Sequence, residues 1–172
     1  MDRHFTVTGF VCRRGRTALH WHPRVQAWLP PGGHIEPNED PLQAVLREVR
    51  EETGLDVRVL GAPDPLPRGT TLPSPVRISI FDIGPDSRTD EDHQHIDLIY
   101  FTVPLDDGQP LVPEEETDWL WVDAGQLRDR APLEDPASGQ RTPAPDDVRE
   151  LGLMAIDAQL ADARSVTASG AR

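Results

Sequence analysis

Apolar and polar residues alternate along Phe5 to Cys12 and again along Ala18 to His22, on either side of Arg14-Gly15-Arg16. That spacing predicts two strands joined as a hairpin. The period then changes: Leu42, Val45, Leu46 and Val49 recur at i, i+3, i+4 and i+7, one buried face of a helix. Its ends are marked by Asp40 as N-cap, Pro41 at the first helical position, Gln43 completing a capping box and Gly54 as a left-handed stop. Further strands are expected at Asp56 to Leu60, Val76 to Ile83, Ile96 to Val103 and Trp119 to Val122. A second helix is expected from Pro145 or Asp146 to Ala163, with Val148, Leu151, Met154 or Ala155 and Ala158 at helical spacing. Strands flanked by two helices predict an α/β fold with a mixed β-sheet in a sandwich.

Three segments carry no clear period: Pro63 to Pro75 with its prolines, acidic Gly84 to Gln94, and polar Asp123 to Thr142. The first two either frame a pocket or are plain surface connections. Residues 1–164 read as one domain, and residues 165–172 as a frayed C-terminal tail.

Composition narrows the class. The chain of 172 residues is 37% hydrophobic and 27% charged, ordinary for a globular protein with a real core. Its single cysteine, Cys12, excludes an internal disulfide and reads as a buried filler. Met1 to Phe5 lack the core of a signal peptide and no apolar run approaches a membrane span, so the expected setting is cytoplasmic, as a monomer or homodimer. The net charge of −13 argues against general nucleic-acid binding, which relies on neutralising phosphates. All seventeen basic residues are arginine, which excludes a lysine nucleophile.

The chemistry is concentrated in the first helix. At about 100° per residue, Glu48, Glu51 and Glu52 fall on an arc apart from the apolar face. Like charges at this spacing destabilise a bare helix by roughly a few tenths of a kcal/mol per pair, so the three ask for a cation, with Mg²⁺ the natural one. Taken alone, Arg47 to Glu52 also fits a solvated helix face laced by Arg47–Glu51 pairing. The loop Leu29-Pro30-Pro31-Gly32-Gly33 ahead of it allows a close backbone approach, so that a carbonyl can point at the metal.

From Gly33 to Leu55 the residues run Gly, five residues, Glu39, seven residues, Arg47-Glu48, Val49, Arg50, Glu51-Glu52, Thr53, Gly54-Leu55. This resembles the Nudix box without departure. Trp28 to Gly33 before the box and Trp119 to Val122 after it also look like family features, and the resemblance spans Thr6 to about Ala163. It implies a Nudix-type α/β/α sandwich with a catalytic loop-helix-loop after the N-terminal hairpin. It further implies Glu48, Glu51 and Glu52 as metal-binding glutamates, the Gly32 carbonyl as a backbone ligand, and Arg47 as the residue that orients a catalytic glutamate. Glu39 is expected to support the loop and helix start. Members differ in taking the general base from the box or from a later loop, where Glu114, Glu115 and Glu116 stand here. A box glutamate, Glu48 or Glu51, is the expected base, with Glu115 or Glu116 as an extra metal ligand.

The implied activity is a metal-dependent pyrophosphohydrolase using Mg²⁺ or Mn²⁺ on a small-molecule nucleotide or nucleotide derivative. The box does not discriminate among substrates. Where ADP-ribose-type members carry a proline this chain has Thr71, and its only tyrosine, Tyr100, does not fit the dinucleoside-polyphosphate signature; Pro67 and Pro73 leave the ADP-ribose type open if loop length differs. A nucleoside triphosphate pyrophosphohydrolase of MutT type is the leading expectation, with an ADP-ribose or nucleotide-sugar pyrophosphatase as runner-up. A non-catalytic nucleotide-sensing domain would normally lose box carboxylates, and this chain keeps them. His20 with His22, and His95 with Asp97, alternate on strands and so share faces. Each pair reads as structural or exposed more readily than as a phosphate contact. Trp119 and Trp121 are expected to pack against the C-terminal helix, Trp28 under the glycine loop, and His34 is left unassigned.

Overall fold

A computed structural model describes residues 1–61, 68–85, 89–111 and 119–170, with side chains to residue 165. The chain runs β1 (Arg3–Arg13), β2 (Arg16–His22), β3 (Ala27–Leu29), β4 (Gly32–His34), α1 (Pro41–Thr53), β5 (Val57–Val59), β6 (Arg77–Ile83) and β7 (His93–Pro104). It ends with β8 (Trp119–Asp123), α2 (Ala124–Arg128), β9 (Leu133–Glu134), β10 (Arg141–Thr142) and α3 (Asp146–Gly170). Arg14 and Gly15, both at positive φ (51° and 73°), turn β1 into β2, as a two-residue hairpin of primed type requires.

Among the described residues, eight strands form one mixed sheet. Its spine is the parallel pair β1 and β7, in register from Arg3 opposite Gln94 to Val11 opposite Thr102. The other edge of β1 is shared: Thr6 to Thr8 pair with β4, and Cys12 and Arg13 with β2. The other edge of β7 is likewise divided between β6 and β5. β2 in turn carries β3 and β8.

Alternation on β1 sends successive side chains to opposite faces. Val7 and Val11 join Tyr100, Val57 and Val59 under Ala44, Val45 and Val49 of α1. Phe10 and Cys12 join Ile99, Phe101 and Leu19 under Val148, Leu151, Ala155 and Ile156 of α3. The sheet is thus sandwiched between α1 and α3. Gly9 lets α1 seat close to β1, since a Cβ there would stand 2.7 Å from Val49 Cγ2 and 3.0 Å from Val45 Cγ2. The helix ends follow the sequence reading: Asp40 Oδ1 accepts the Gln43 N–H at 2.8 Å, Gln43 Oε1 accepts the Asp40 N–H at 2.9 Å, and Gly54 at φ 73° donates to the Arg50 carbonyl. No described helix is long and apolar enough to cross a membrane.

Several expectations are corrected. The segment from Asp123 to Thr142 is not irregular. Asp123 and Gln126 form a second reciprocal capping box at α2, and β9 pairs with β10. α2 has too few residues to show a period. β7 begins at His93 rather than Ile96, because Arg3 and His4 of β1 extend the ladder to Gln94 and His95. α3 continues past Ala163 to Gly170, with no proline to stop it. Trp119 and Trp121 pack on the α1 side, not against α3, because β8 sets Trp121 opposite Ala18, whose side chain belongs to that face. Trp121 lies under the Arg13 guanidinium, 4.4 Å from its ring centroid. Cys12 is buried, and burial pushes its thiol up to about 12, which leaves it an inert filler.

Candidate functional site

α1 starts from its cap with its acidic arc turned toward the short strand β4, and β4 is held against β1 by the register Thr6–His34, Val7–Gly33 and Thr8–Gly32. Gly33 has no side chain where one would collide: a Cβ would stand 2.5–2.7 Å from the Glu48 carboxylate carbon and oxygens. Gly32 is equally tight, with a Cβ 2.4 Å from the Val7 carbonyl oxygen. The Gly32 N–H donates to Glu52 Oε2 at 3.1 Å. Two of the three glutamates therefore reach back to the glycine pair, and the missing side chain at Gly33 is what makes room for Glu48.

Arg47 organises the same region. Its Nε donates to Glu39 Oε1 at 2.7 Å and its Nη2 to Glu39 Oε2 at 2.9 Å, a two-pronged grip. Nη1 donates to Glu48 Oε1 at 2.7 Å and Glu51 Oε2 at 3.1 Å, and Nη2 also to the His34 carbonyl at 3.0 Å. Glu39 in turn accepts the Glu36 N–H at 3.1 Å, pinning the loop before the helix. The Arg47 hydrogen bonds hold the Glu39 carboxyl below the ordinary carboxylate range. Burial pushes Glu48 above it, against the pull of Arg47.

Of the residues named from sequence, Gly32, Arg47, Glu48, Glu51 and Glu52 are gathered here, and Glu39 with them. Glu114, Glu115 and Glu116 lie outside the described residues. The carboxylate oxygens suit a hard divalent cation, and they sit in a cradle that a Cβ at position 33 would fill.

On the other face of β1 and β7 a cleft of about 550 Å³ opens between the sheet and the start of α3, and Gly32, Gly33 and His34 also line it. Its floor carries Asp97, which is buried and accepts hydrogen bonds from the Thr6 and Thr8 hydroxyls, each at 2.8 Å. Burial holds its carboxyl above the usual range despite those donors. His95 lines the cleft as well, whereas His20 stands against Trp119, ring centroids 4.5 Å apart. Burial, and then His22, lower the His20 imidazole to about 4, so it is neutral at neutral pH. Trp28 is fully buried against Trp21 on the α3 side.

Sequence reading leaves out Thr6, Thr8, His4 and His93. Their signal is two-residue spacing: His4, Thr6 and Thr8 along β1, and His93, His95 and Asp97 along β7. Placing His93 outside the strand hides the second row.

With this geometry in place, a family model described as NUDIX domain matches residues 2–146. A probable DHNTP pyrophosphohydrolase of Lactococcus lactis subsp. cremoris is 28% identical over 100 residues, 58% of this chain and 53% of the relative. An RNA pyrophosphohydrolase of Hydrogenovibrio crunogenus is 52% identical over 58 residues, 31% of this chain and 35% of the relative. The chain thus matches about half the length of the first and a third of the second. Among solved structures, a hydrolase of the NUDIX family from Clostridium perfringens superposes with TM-score 0.68 at 24% identity, covering 91% of this chain and 98% of that one. The MutT protein of Methanosarcina mazei Go1 gives TM-score 0.54 at 17% identity, covering 92% and 95%. These two likenesses speak to the fold.

Proposed function

The chain belongs to the NUDIX domain family, and from that premise we propose that it is a metal-dependent pyrophosphohydrolase acting on a nucleoside diphosphate linked to another moiety. The substrate we favour is a nucleoside triphosphate, cleaved to the monophosphate and pyrophosphate. One observation carries the reading: Glu48 and Glu52 of α1 converge on the Gly32-Gly33 peptide, with Arg47 bound to Glu48 and Glu51. A phosphoanhydride asks for this grouping, because its hydrolysis needs shielded phosphate oxygens and an aligned water.

Glu48, Glu51, Glu52 and the Gly32 carbonyl are the groups that would hold Mg²⁺ or Mn²⁺, with Glu115 as a further ligand. The ion supplies charge shielding for the phosphates and a more acidic water. The protein does the rest. Arg47 is the positioning residue: its fork, fixed by both Glu39 oxygens and the His34 carbonyl, holds Glu48 and Glu51 at set rotamers. A box glutamate, Glu48 or Glu51, takes the proton of the attacking water. The glycine pair lets the phosphate chain approach the backbone, and the adjoining cleft receives the rest of the substrate.

The pyrophosphohydrolase names of the lactococcal and Hydrogenovibrio relatives support the reaction class, and the intact box carboxylates support catalysis over sensing alone. The test is hydrolysis in ¹⁸O-labelled water with Mg²⁺, using nucleoside triphosphates and ADP-ribose in parallel. Monophosphate and pyrophosphate as first products, one carrying the label, is the expected result. Label confined to orthophosphate released from the triphosphate would refute internal attack, and turnover of ADP-ribose alone would replace the substrate assignment.

A further inference from the structure

Four imidazoles collect where β1, β4 and β7 meet, on the sheet face opposite α1. His4 and His95 are cross-strand partners in the parallel β1–β7 register, and His93 precedes His95 by two residues on the same face. His34 stands opposite Thr6 on β4, with its ring centroid 4.7 Å from that of His95 and 5.4 Å from that of His4. One ligand nitrogen from each of His4, His93 and His95 lies within 4.8 Å of the others. None of the three belongs to the carboxylate set on α1.

Two details go beyond proximity. The Nε2 atoms of His93 and His95 face each other at 3.1 Å. Two imidazole nitrogens on one tetrahedral ion, each about 2.1 Å from it, stand about 3.4 Å apart, so this pair already has close to the chelating separation. Without an ion, a single shared proton holds them as N–H···N. The outer nitrogens are also engaged. His93 Nδ1 lies 3.1 Å from the Glu91 carbonyl, which can only accept, so that nitrogen carries the proton and Nε2 keeps its lone pair. His4 Nε2 lies 3.2 Å from Asp2 Oδ2, a contact that in the neutral ring puts the proton on Nε2 and the lone pair on Nδ1. His4 Nδ1 is buried and has no hydrogen-bond partner among the described residues. Carbonyl and carboxylate partners of this kind fix the tautomers of metal-binding histidines.

We propose that His4, His93 and His95 form a second metal site, for a divalent transition metal of the Zn²⁺ class, at the end of the cleft that His95 lines. All-nitrogen donors select Zn²⁺, Co²⁺ or Ni²⁺ over Mg²⁺, which takes oxygen ligands, so the two sites sort their ions by ligand chemistry. Three protein ligands leave a fourth tetrahedral position for water.

Co²⁺ serves as the probe, titrated into untagged protein in excess Mg²⁺ so that the carboxylates are occupied. One equivalent should raise the visible ligand-field band of tetrahedral cobalt, and Zn²⁺ should displace it. The band should survive Glu48→Gln, Glu51→Gln and Glu52→Gln combined, and vanish in His4→Gln and in His95→Gln, both only half-buried positions. In the unsubstituted protein, Zn²⁺ should shift the ring ¹⁵N resonances of His4, His93 and His95 and leave those of His20 and His22 in place, a readout that needs no variant to fold. No band, a band lost with the glutamates, a band kept in both histidine variants, or three unmoved histidine resonances would each overturn the site.

Discussion

Arg47 binds both carboxylate oxygens of Glu39, at 2.7 and 2.9 Å, across the loop that enters α1. The pair ties the guanidinium that grips Glu48 and Glu51 to a residue outside the helix, so it cannot swing away with either of them. Lysine offers a point charge and no fork. Arg47→Lys is therefore expected to cost about 1–3 kcal/mol of stability, for the loss of charge-assisted bonds, and to lower kcat more than it raises KM. Thermal unfolding and steady-state kinetics on one preparation check both. Unchanged kcat would remove Arg47 from the positioning role.

Within the acidic set, Glu52→Gln keeps shape but removes charge where the cation is held, and is expected to reduce kcat by orders of magnitude. Glu39→Gln retains one acceptor for Arg47 and should be milder. Parallel kinetics decide, and equal losses would contradict the division between holding the ion and supporting the loop.

Chelation separates chemistry from folding. α1 is capped at both ends and packed on Val7, Val11 and Tyr100. Excess EDTA is expected to abolish turnover while far-ultraviolet circular dichroism stays unchanged, and added Mg²⁺ should restore activity. Full turnover in chelator would contradict the metal-dependent reading.

Two glycines should fail differently. Gly33→Ala pushes its methyl into the Glu48 carboxylate, the far end of a side chain that can rotate, so activity should fall by about tenfold or more with little change in Tm. Gly9→Ala pushes its methyl into Val49 and Val45 in the packed interior, and should cost about 1–3 kcal/mol of stability. The reverse assignment of losses would show that the glycine pair supports the fold rather than the site.

Acid stability should depend on His20. Its imidazole is depressed from 6.5 to about 4, so the folded state favours the neutral ring. That contribution is fully present above pH 6.5 and is lost as pH falls toward 4, where unfolding gains a proton more readily than the native ring does. His20→Gln should lose less stability across this window than the parent chain. Identical pH profiles for the two would remove burial of a neutral His20 as a source of acid sensitivity.

The sequence disclosed what is local. The caps of α1, its apolar stripe and the arc of glutamates all lie within one short stretch, and each is fixed by neighbours along the chain. Pairings at long range were not legible. Trp119 and Trp121 visibly share a face, but which core receives that face depends on β8 lying beside Ala18 of β2. β3 and β4 have three residues each and exist through the partners they meet. The histidine group requires His4 to stand opposite His95, a register that no local pattern specifies.

The parallel pairing of β1 with β7 also dictates an order of assembly. Residues near the start of the chain cannot complete the platform under α1 until Tyr100 arrives, since Val7, Val11 and Tyr100 together form the surface on which Val45 and Val49 rest. A nascent chain that has emerged only as far as Leu55 holds every glutamate of the box and the strands β1 to β4, but lacks β7, the other half of the parallel spine on which α1 rests. The platform under α1 is complete only when that distant half of the spine pairs with β1, a contact of long sequence separation and therefore a late one.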